Sequence, residues 1–296
     1  MIRRRATAWG LAVVVAVVGT LLPRVVAGAT WATFTMVEDS ASFVDRPDAP
    51  LFVLLVGSDE RGGLEGARGD ALHLVGINAE AGAGTILNIP RDTMVDIPGR
   101  GMAKINDAYR YGGAALQAEV VRRLTGAPVS IVIATTFDGL QRMVDELGGV
   151  HVDVPFAMAD PNSGAYFQQG PTTMNGAQAL AFSRNRHLPS GDLDRTTMQA
   201  HLLLSALTDL RGRGTGAADT LRYLSVLLRH VRIDGLGVRE LYHLGRTALS
   251  LDPARVRNAT MPAVAGWYGS ASVVYTRPQA AGLFADFRDD AVLQSH

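Results

Sequence analysis

The chain has 296 residues, 47% of them hydrophobic and 19% charged, a composition that suits a folded domain and excludes a disordered one. Its 28 basic and 28 acidic residues balance to zero net charge, so no long-range field draws it to nucleic acid and any anion site must come from local clustering. It contains no cysteine, which excludes a disulfide framework, thiolate metal sites and a cysteine nucleophile.

The elements follow in chain order. Residues 1–5 carry Arg3, Arg4 and Arg5, and the uncharged run ATAWGLAVVVAVVGTLLP follows from Ala6 to Pro23. At about 1.5 Å per residue this run spans roughly 27 Å, close to a bilayer core. The preceding arginines place the N-terminus in the cytoplasm. Residues 6–26 are therefore expected to form one transmembrane helix, with a cleaved signal peptide as the competing reading. Residues 27–50 read as a linker and 51–296 as one extracytoplasmic domain. LFVLLVG (51–57), ALHLVGIN (71–78) and GTILNIP (84–90) read as strands buried on both faces. A helix over 104–125 stops before Gly126, VSIVIATTF (129–137) is a strand, and 137–149 is a helix closed by paired glycines. VHVDV (150–154) alternates as a strand, and 155–174 reads as a loop. Asn175 then caps a helix to Asn185. Helices follow at 194–211, 216–230 and 236–248, then strands near 256–262 and 271–276, and a last helix to about 288. Strands alternating with helices predict an α/β fold, a three-layer α/β/α domain around a central mixed sheet.

No phosphate loop, zinc helix or nucleophile elbow is present among the motifs. Three clusters of charge remain. In GSDERGGLEGARGDA, Asp59 follows the first strand and Asp70 precedes the second, so both can share one edge of the sheet with Arg61 and Arg68. Paired carboxylates without a soft ligand suit a hard cation such as magnesium; a solvated hairpin with surface ion pairs is the alternative. In IPRDTMVDIPGRGMAKIND, Arg91 and Asp92 follow Pro90, and Lys104, the chain's only lysine, follows. Arginine forks and a point-charged lysine suit a pyrophosphate clamp, or else they brace the loop. In AFSRNRHLPSGDLDRTTMQA, Arg184 and Arg186 end one helix, while Asp192, Arg195 and Gln199 open the next.

Over residues 51–212 these clusters resemble the LytR–CpsA–Psr proteins in the family's own order. The match runs through Gly57-Ser58-Asp59-x-Arg61, Arg68-x-Asp70, Ile89-Pro90-Arg91-Asp92 and Lys104-Ile105-Asn106-x-Ala108-Tyr109. It continues through Gly148-Gly149-Val150 and Asp153-Val154-Pro155 to Arg184-x-Arg186 and Asp192-x-x-Arg195. The resemblance implies an extracytoplasmic phosphotransferase of the cell membrane, moving a glycopolymer from a polyprenyl pyrophosphate carrier to a peptidoglycan acceptor. It implies magnesium at Asp59 and Asp70. It also implies a catalytic set of Asp70, Arg91, Arg184, Arg186 and Asp192, and pyrophosphate contacts from Arg61, Arg68, Arg91, Lys104, Arg184, Arg186, Arg195 and Gln199. A nucleic-acid partner is not expected.

Two departures from the family pattern stand out. Ala71-Leu72-His73 follows Asp70, and Asn88 replaces the common serine before Ile89-Pro90-Arg91-Asp92. His73 reads as a packed or hydrogen-bonded strand residue rather than a ligand. Two other readings keep much of the pattern: a polyprenyl pyrophosphate phosphatase with water as acceptor, and a non-catalytic polyprenyl-lipid binding or regulatory protein. The phosphotransferase reading also predicts an elongated apolar pocket between the sheet and the helices at 137–147, 175–185 and 194–211. Leu140, Met143, Val144, Ala181, Met198 and Leu202 would line it, and it would open beside Arg91, Arg184 and Arg186.

Overall fold

Strand β2 (Leu51–Ser58) is apolar on both faces, and alternate side chains go to opposite sides of the sheet it centres. In the structure, a computed structural model describing residues 32–37, 49–58, 67–188, 192–228, 231–234 and 236–294, seven strands form this sheet. They are β1 (Ala32–Met36), β2, β3 (Ala71–Asn78), β4 (Ala83–Asn88), β7 (Ile131–Thr136), β12 (Val231–Asp234) and β13 (Val256–Thr260), in the order β12-β1-β7-β2-β3-β4-β13. β2 runs parallel to β7 and antiparallel to β3, so the sheet is mixed. Phe52, Leu54 and Val56 point into one core with helices α1 (Asp107–Thr125) and α7 (Ala280–Asp290). There Phe287 packs edge-on against Phe52 at 5.2 Å. Leu51 and Val53 point into the opposite core, with α4 (Asp192–Arg213) and α6 (Val238–Ser250) over it. Helices cover both faces, giving three layers.

The linker expectation is corrected in part. Residues 32–36 form β1, an inner strand paired antiparallel with β7 and parallel with β12. The segment ATFTM carries no long apolar run, and its partner at Val231–Asp234 lies some two hundred residues away in sequence. Local pattern therefore gave no sign of either strand. The membrane-helix expectation at 6–26 lies outside the described residues; among those described, no helix is long and apolar enough to cross a membrane.

A third core sits at one end of the sheet. β8 (Val150–Val154) pairs with β11 (Gly170–Met174), and β9 (Met158–Asp160) with β10 (Ala165–Phe167). β8 is the strand its alternation predicts, whereas β9, β10 and β11 lie in the stretch read from sequence as a loop; together they cover Phe182 and Ala179 of α3 (Gly176–Arg184). Phe182 is fully buried and meets Phe167 edge-on at 6.0 Å; burying a side chain of this size contributes about 1.5–3 kcal/mol. Helix α2 (Phe137–Glu146) lies against α3 so closely that a Cβ on Gly176 would fall 2.2 Å from the Gln141 carbonyl oxygen. Asn175 and Gln178 close α3 with a capping box, as its sequence suggests. Helix α4 joins the cores, giving Ala200 to the second and Leu202 to the third. It thereby carries Arg195 and Gln199 to the junction.

Candidate functional site

That junction is a cavity of about 370 Å³ whose lining includes Asp70, Arg91, Arg184, Arg186, Arg195 and Gln199. Six expected site residues thus converge from strand ends and from two helices. Four arginines there face two aspartates, Asp70 and Asp160, so the cavity is locally cationic in a chain of zero net charge.

The sheet side is built by an interlocked backbone. Gly69 N donates to Asn106 O (3.1 Å), Asn106 N to Arg91 O (3.3 Å) and Asp70 N to Gly57 O (2.7 Å). After Pro90, Thr93 turns the chain by donating both its amide and its hydroxyl to the Pro90 carbonyl. Arg91 Nη1 then donates to Asp70 Oδ1 at 3.0 Å, and Asn106 Nδ2 reaches the same oxygen at 3.3 Å. Asn106 Oδ1 is buried and accepts no hydrogen bond among the described residues.

The helix side is built differently. Arg184 lies over the Phe137 ring, with Cζ 5.2 Å from the centroid. Arg186 is fixed through its backbone, where its amide donates to Asp160 Oδ2 at 3.1 Å. Among the described residues neither arginine forms an ion pair with a carboxylate, which leaves both guanidinium forks for an anion. Asp160 also accepts from Asn162 N (2.9 Å), Ser163 Oγ (2.8 Å) and His187 Nδ1 (2.8 Å). Burial pushes the Asp160 carboxyl up, but the hydrogen bonds from Arg186, Ser163, Asn162 and His187 outweigh it and hold the group well below the usual carboxylate range.

Asp160 was missed from sequence because 155–174 read as a loop, and His187 because its partner Asp160 lies in that loop. The signal that could have found Asp160 is the turn signature Asp160-Pro161-Asn162-Ser163-Gly164, in which an aspartate bonds its own backbone two residues on.

Other expected residues lie away from the cavity lining. Lys104, closing β6 (Gly101–Lys104) opposite β5 (Met94–Ile97), pairs with Asp92 at 2.7 Å. Arg68 pairs with Asp107 at 2.9 Å, its side chain half-exposed. Asp59 and Arg61 lie outside the described residues, and so does the side chain of Asp192. The elongated apolar pocket is corrected to a polar cavity, in which only Ala71 and Phe137 are apolar among the lining residues. Val144, Ala181, Met198 and Leu202 instead pack into the third core.

The two departures from the family pattern prove to be partners. His73 and Asn88 face each other across β3 and β4, and His73 Nδ1 lies 2.8 Å from Asn88 Oδ1. Burial lowers the affinity of His73 for a proton, while its hydrogen bonds to Asn88 and Gln199 oppose that shift. Asn88 extends the chain of contacts to Asn258 and Thr260. His73 is therefore a hydrogen-bonded strand residue beneath Gln199.

The model of the LytR_cpsA_psr family matches residues 30–285. The polyisoprenyl-teichoic acid–peptidoglycan teichoic acid transferase TagU of Bacillus licheniformis is 37% identical over 168 residues, 56% of this chain and 54% of its own. The probable cell wall biosynthesis protein LcpB of Corynebacterium glutamicum is 31% identical over 254 residues, 79% of this chain and 60% of its own. The chain thus spans less than two thirds of the length of these curated relatives. A solved structure of the LytR-CPS2A-psr family protein YwtF (TagT) with bound octaprenyl pyrophosphate lipid shares the fold. Its TM-score is 0.65 at 22% identity, covering 86% of this chain and 92% of that one.

Proposed function

This chain belongs to the LytR_cpsA_psr family, and we propose that it transfers a glycopolymer from a polyprenyl pyrophosphate carrier to a peptidoglycan hydroxyl. The observation that carries this reading is the convergence of Arg91, Arg184, Arg186 and Arg195 on one cavity beside Asp70. A pyrophosphate develops negative charge on its leaving side as it reacts, and preorganised cations stabilise that charge. Arg184 and Arg186 grip the phosphate oxygens, Arg91 is aimed by Asp70, and Arg195 with Gln199 closes the floor. The acceptor oxygen bonds to the phosphorus carrying the polymer while the bond to the second phosphate breaks, and polyprenyl phosphate leaves. The names of the TagU and LcpB relatives and the lipid bound to TagT support this substrate class.

The residues present suit magnesium in their chemistry: Asp70 offers a hard carboxylate oxygen, and Asn106, whose Nδ2 reaches Asp70, carries a buried amide oxygen with no hydrogen-bond partner among the described residues. Asp59 and Asp70 would hold the ion, which when bound supplies neutralising charge at the pyrophosphate oxygens. Residues 6–26 anchor the domain outside the cytoplasmic membrane on this reading, and protease added to intact spheroplasts should digest it.

The deciding experiment gives the full-length protein in detergent a polyprenyl pyrophosphate-linked glycan and peptidoglycan fragments. Phosphodiester-linked polymer and polyprenyl phosphate should appear in equal amounts. Release of polyprenyl phosphate without linked product would make the protein a phosphatase, and neither product would sink the reading.

A further inference from the structure

Asp160 is a buried carboxylate, 1% exposed, that gathers four donors at the end of β9. Such an ionised, saturated carboxylate accepts hydrogen bonds and donates none, so the imidazole edge facing it must carry the Nδ1 proton. A neutral His187 then has its lone pair on Nε2, on the opposite edge of the ring. That side chain is 57% exposed, and His187 lines the same cavity as the arginines. The contact fixes the tautomer and leaves Nε2 as the basic nitrogen of an exposed ring that lines the site.

The charged groups around this ring define its setting. Asp160 touches it from β9, Arg184 and Arg186 come from the end of α3, Arg195 from α4, and Asp70 and Arg91 from the sheet. An imidazole whose protonated nitrogen is held by Asp160 has its other nitrogen to take a proton during the reaction and release it afterwards.

We propose that His187 is the general base of the transfer, with Asp160 as the positioning residue that aims it. The inference rests on the phosphotransferase reading above. In the step, the acceptor hydroxyl gives its proton to His187 Nε2 as its oxygen bonds to phosphorus. The electron pair of the breaking phosphorus–oxygen bond leaves on polyprenyl phosphate, and His187 returns its proton to solvent. No other reactant is required.

A purely structural role has to be separated, because Asp160 also holds the Arg186 backbone. His187→Gln keeps a side-chain amide that can donate to Asp160 but offers no base. With the full-length protein in detergent, wild-type kcat for transfer should fall on the acid side as His187 protonates. His187→Gln should lower kcat about 100-fold, abolish that acid limb, and leave KM for the lipid pyrophosphate within about twofold. Asp160→Asn should lower kcat while retaining a displaced limb. A His187→Gln rate within about threefold of wild type, a persisting acid limb, or a loss confined to KM would overturn the proposal. If His187→Gln fails to fold, the wild-type profile decides, since absence of an acid limb overturns it equally. A wild type that neither transfers nor releases polyprenyl phosphate defeats the parent reading instead, so the two failures are distinguishable.

Discussion

On the sheet wall of the cavity, Asp70 and Arg91 hold each other through a charged hydrogen bond, and both side chains are partly exposed. On the helix wall, Arg184 rests on an aromatic ring and Arg186 is gripped through its main chain by a buried aspartate. The first wall has satisfied part of its charge internally, so an incoming phosphate there competes with a carboxylate already in place. The second has placed Arg184 and Arg186 without an ion pair among the described residues, the arrangement that lets a guanidinium bind an anion at full strength. The walls should therefore answer differently to substitution.

The largest effect is expected on the helix wall. Arg184→Ala and Arg186→Ala should each lower kcat/KM for transfer by about 100- to 1,000-fold, by analogy with deleting one preorganised electrostatic donor. Thermal stability should change little, because neither guanidinium carries an ion pair among the described residues. Steady-state rates beside thermal melts would check this. A loss of activity matched by a collapse in melting temperature would erase the distinction between the walls.

The anchor beneath that wall should register in stability. Asp160→Asn turns one carboxylate oxygen, which accepts two of the four hydrogen bonds, into a donor facing donors, and should lower the melting temperature by about 5 °C or more. The sign with pH follows from the depressed carboxyl. Its contribution is fully present above the unfolded value of about 3.9 and is lost as pH falls below it. Wild type should therefore lose stability across the acid range below about pH 4, and Asp160→Asn should lose less there. Parallel melts from neutral to acid pH provide the test; curves of equal slope would mean that Asp160 is not the group responsible.

Under the sheet wall, the contact of His73 with Asn88 can be isolated by a double-mutant cycle. Asn88→Ser leaves a buried imidazole without its partner and should cost about 1–3 kcal/mol. His73→Met combined with Asn88→Ser should recover much of that loss, giving a coupling of about 1 kcal/mol. Additive effects would mean that the two residues merely sit side by side.

Much of this organisation was legible in the sequence, for identifiable reasons. β2, β3, β4 and β7 are buried on both faces and so are written as apolar runs. Asn175 and Gly126 end their helices by chemistry that is local, the latter adopting φ 74° as the left-handed cap of α1. The arginines and Asp70 were found because their order along the chain is itself the signal. The missed strands share the opposite property. β1 and β12 owe their existence to a distant partner, and β9, β10 and β11 are only three to five residues long with exposed alternate positions. Asp160 and His187 were hidden with them. They come together only when a turn folds back onto the end of α3, a contact that spacing does not encode. The apolar pocket failed for a related reason: apolar faces on neighbouring helices identify surfaces that become buried, and here the third core buries several of those side chains.

The smallest effect is expected at Lys104, and it tests whether the sheet wall is complete as it stands. Lys104 belongs to the expected pyrophosphate clamp, yet its Nζ lies 2.7 Å from Asp92 Oδ1, with both side chains about a third exposed or less. Asp92 also uses its carbonyl to accept from Val274 N at 2.9 Å, which joins the loop after Pro90 to β15 (Ala271–Thr276). In this arrangement Lys104 braces the segment that presents Arg91. A partly exposed pair of this kind contributes about 0–1 kcal/mol, so Lys104→Met should cost at most a few degrees of stability. Its effect on kcat/KM should be less than about tenfold, carried mostly by KM, as expected when positioning rather than transition-state charge is removed. Lys104→Arg should restore most of that loss by pairing with Asp92. If Lys104→Met instead costs as much kcat as Arg186→Ala, and arginine does not rescue it, the lysine must leave Asp92 and reach the pyrophosphate when substrate binds. The sheet wall would then hold its cation in reserve, and the contrast between the walls would belong to the ligand-free state alone.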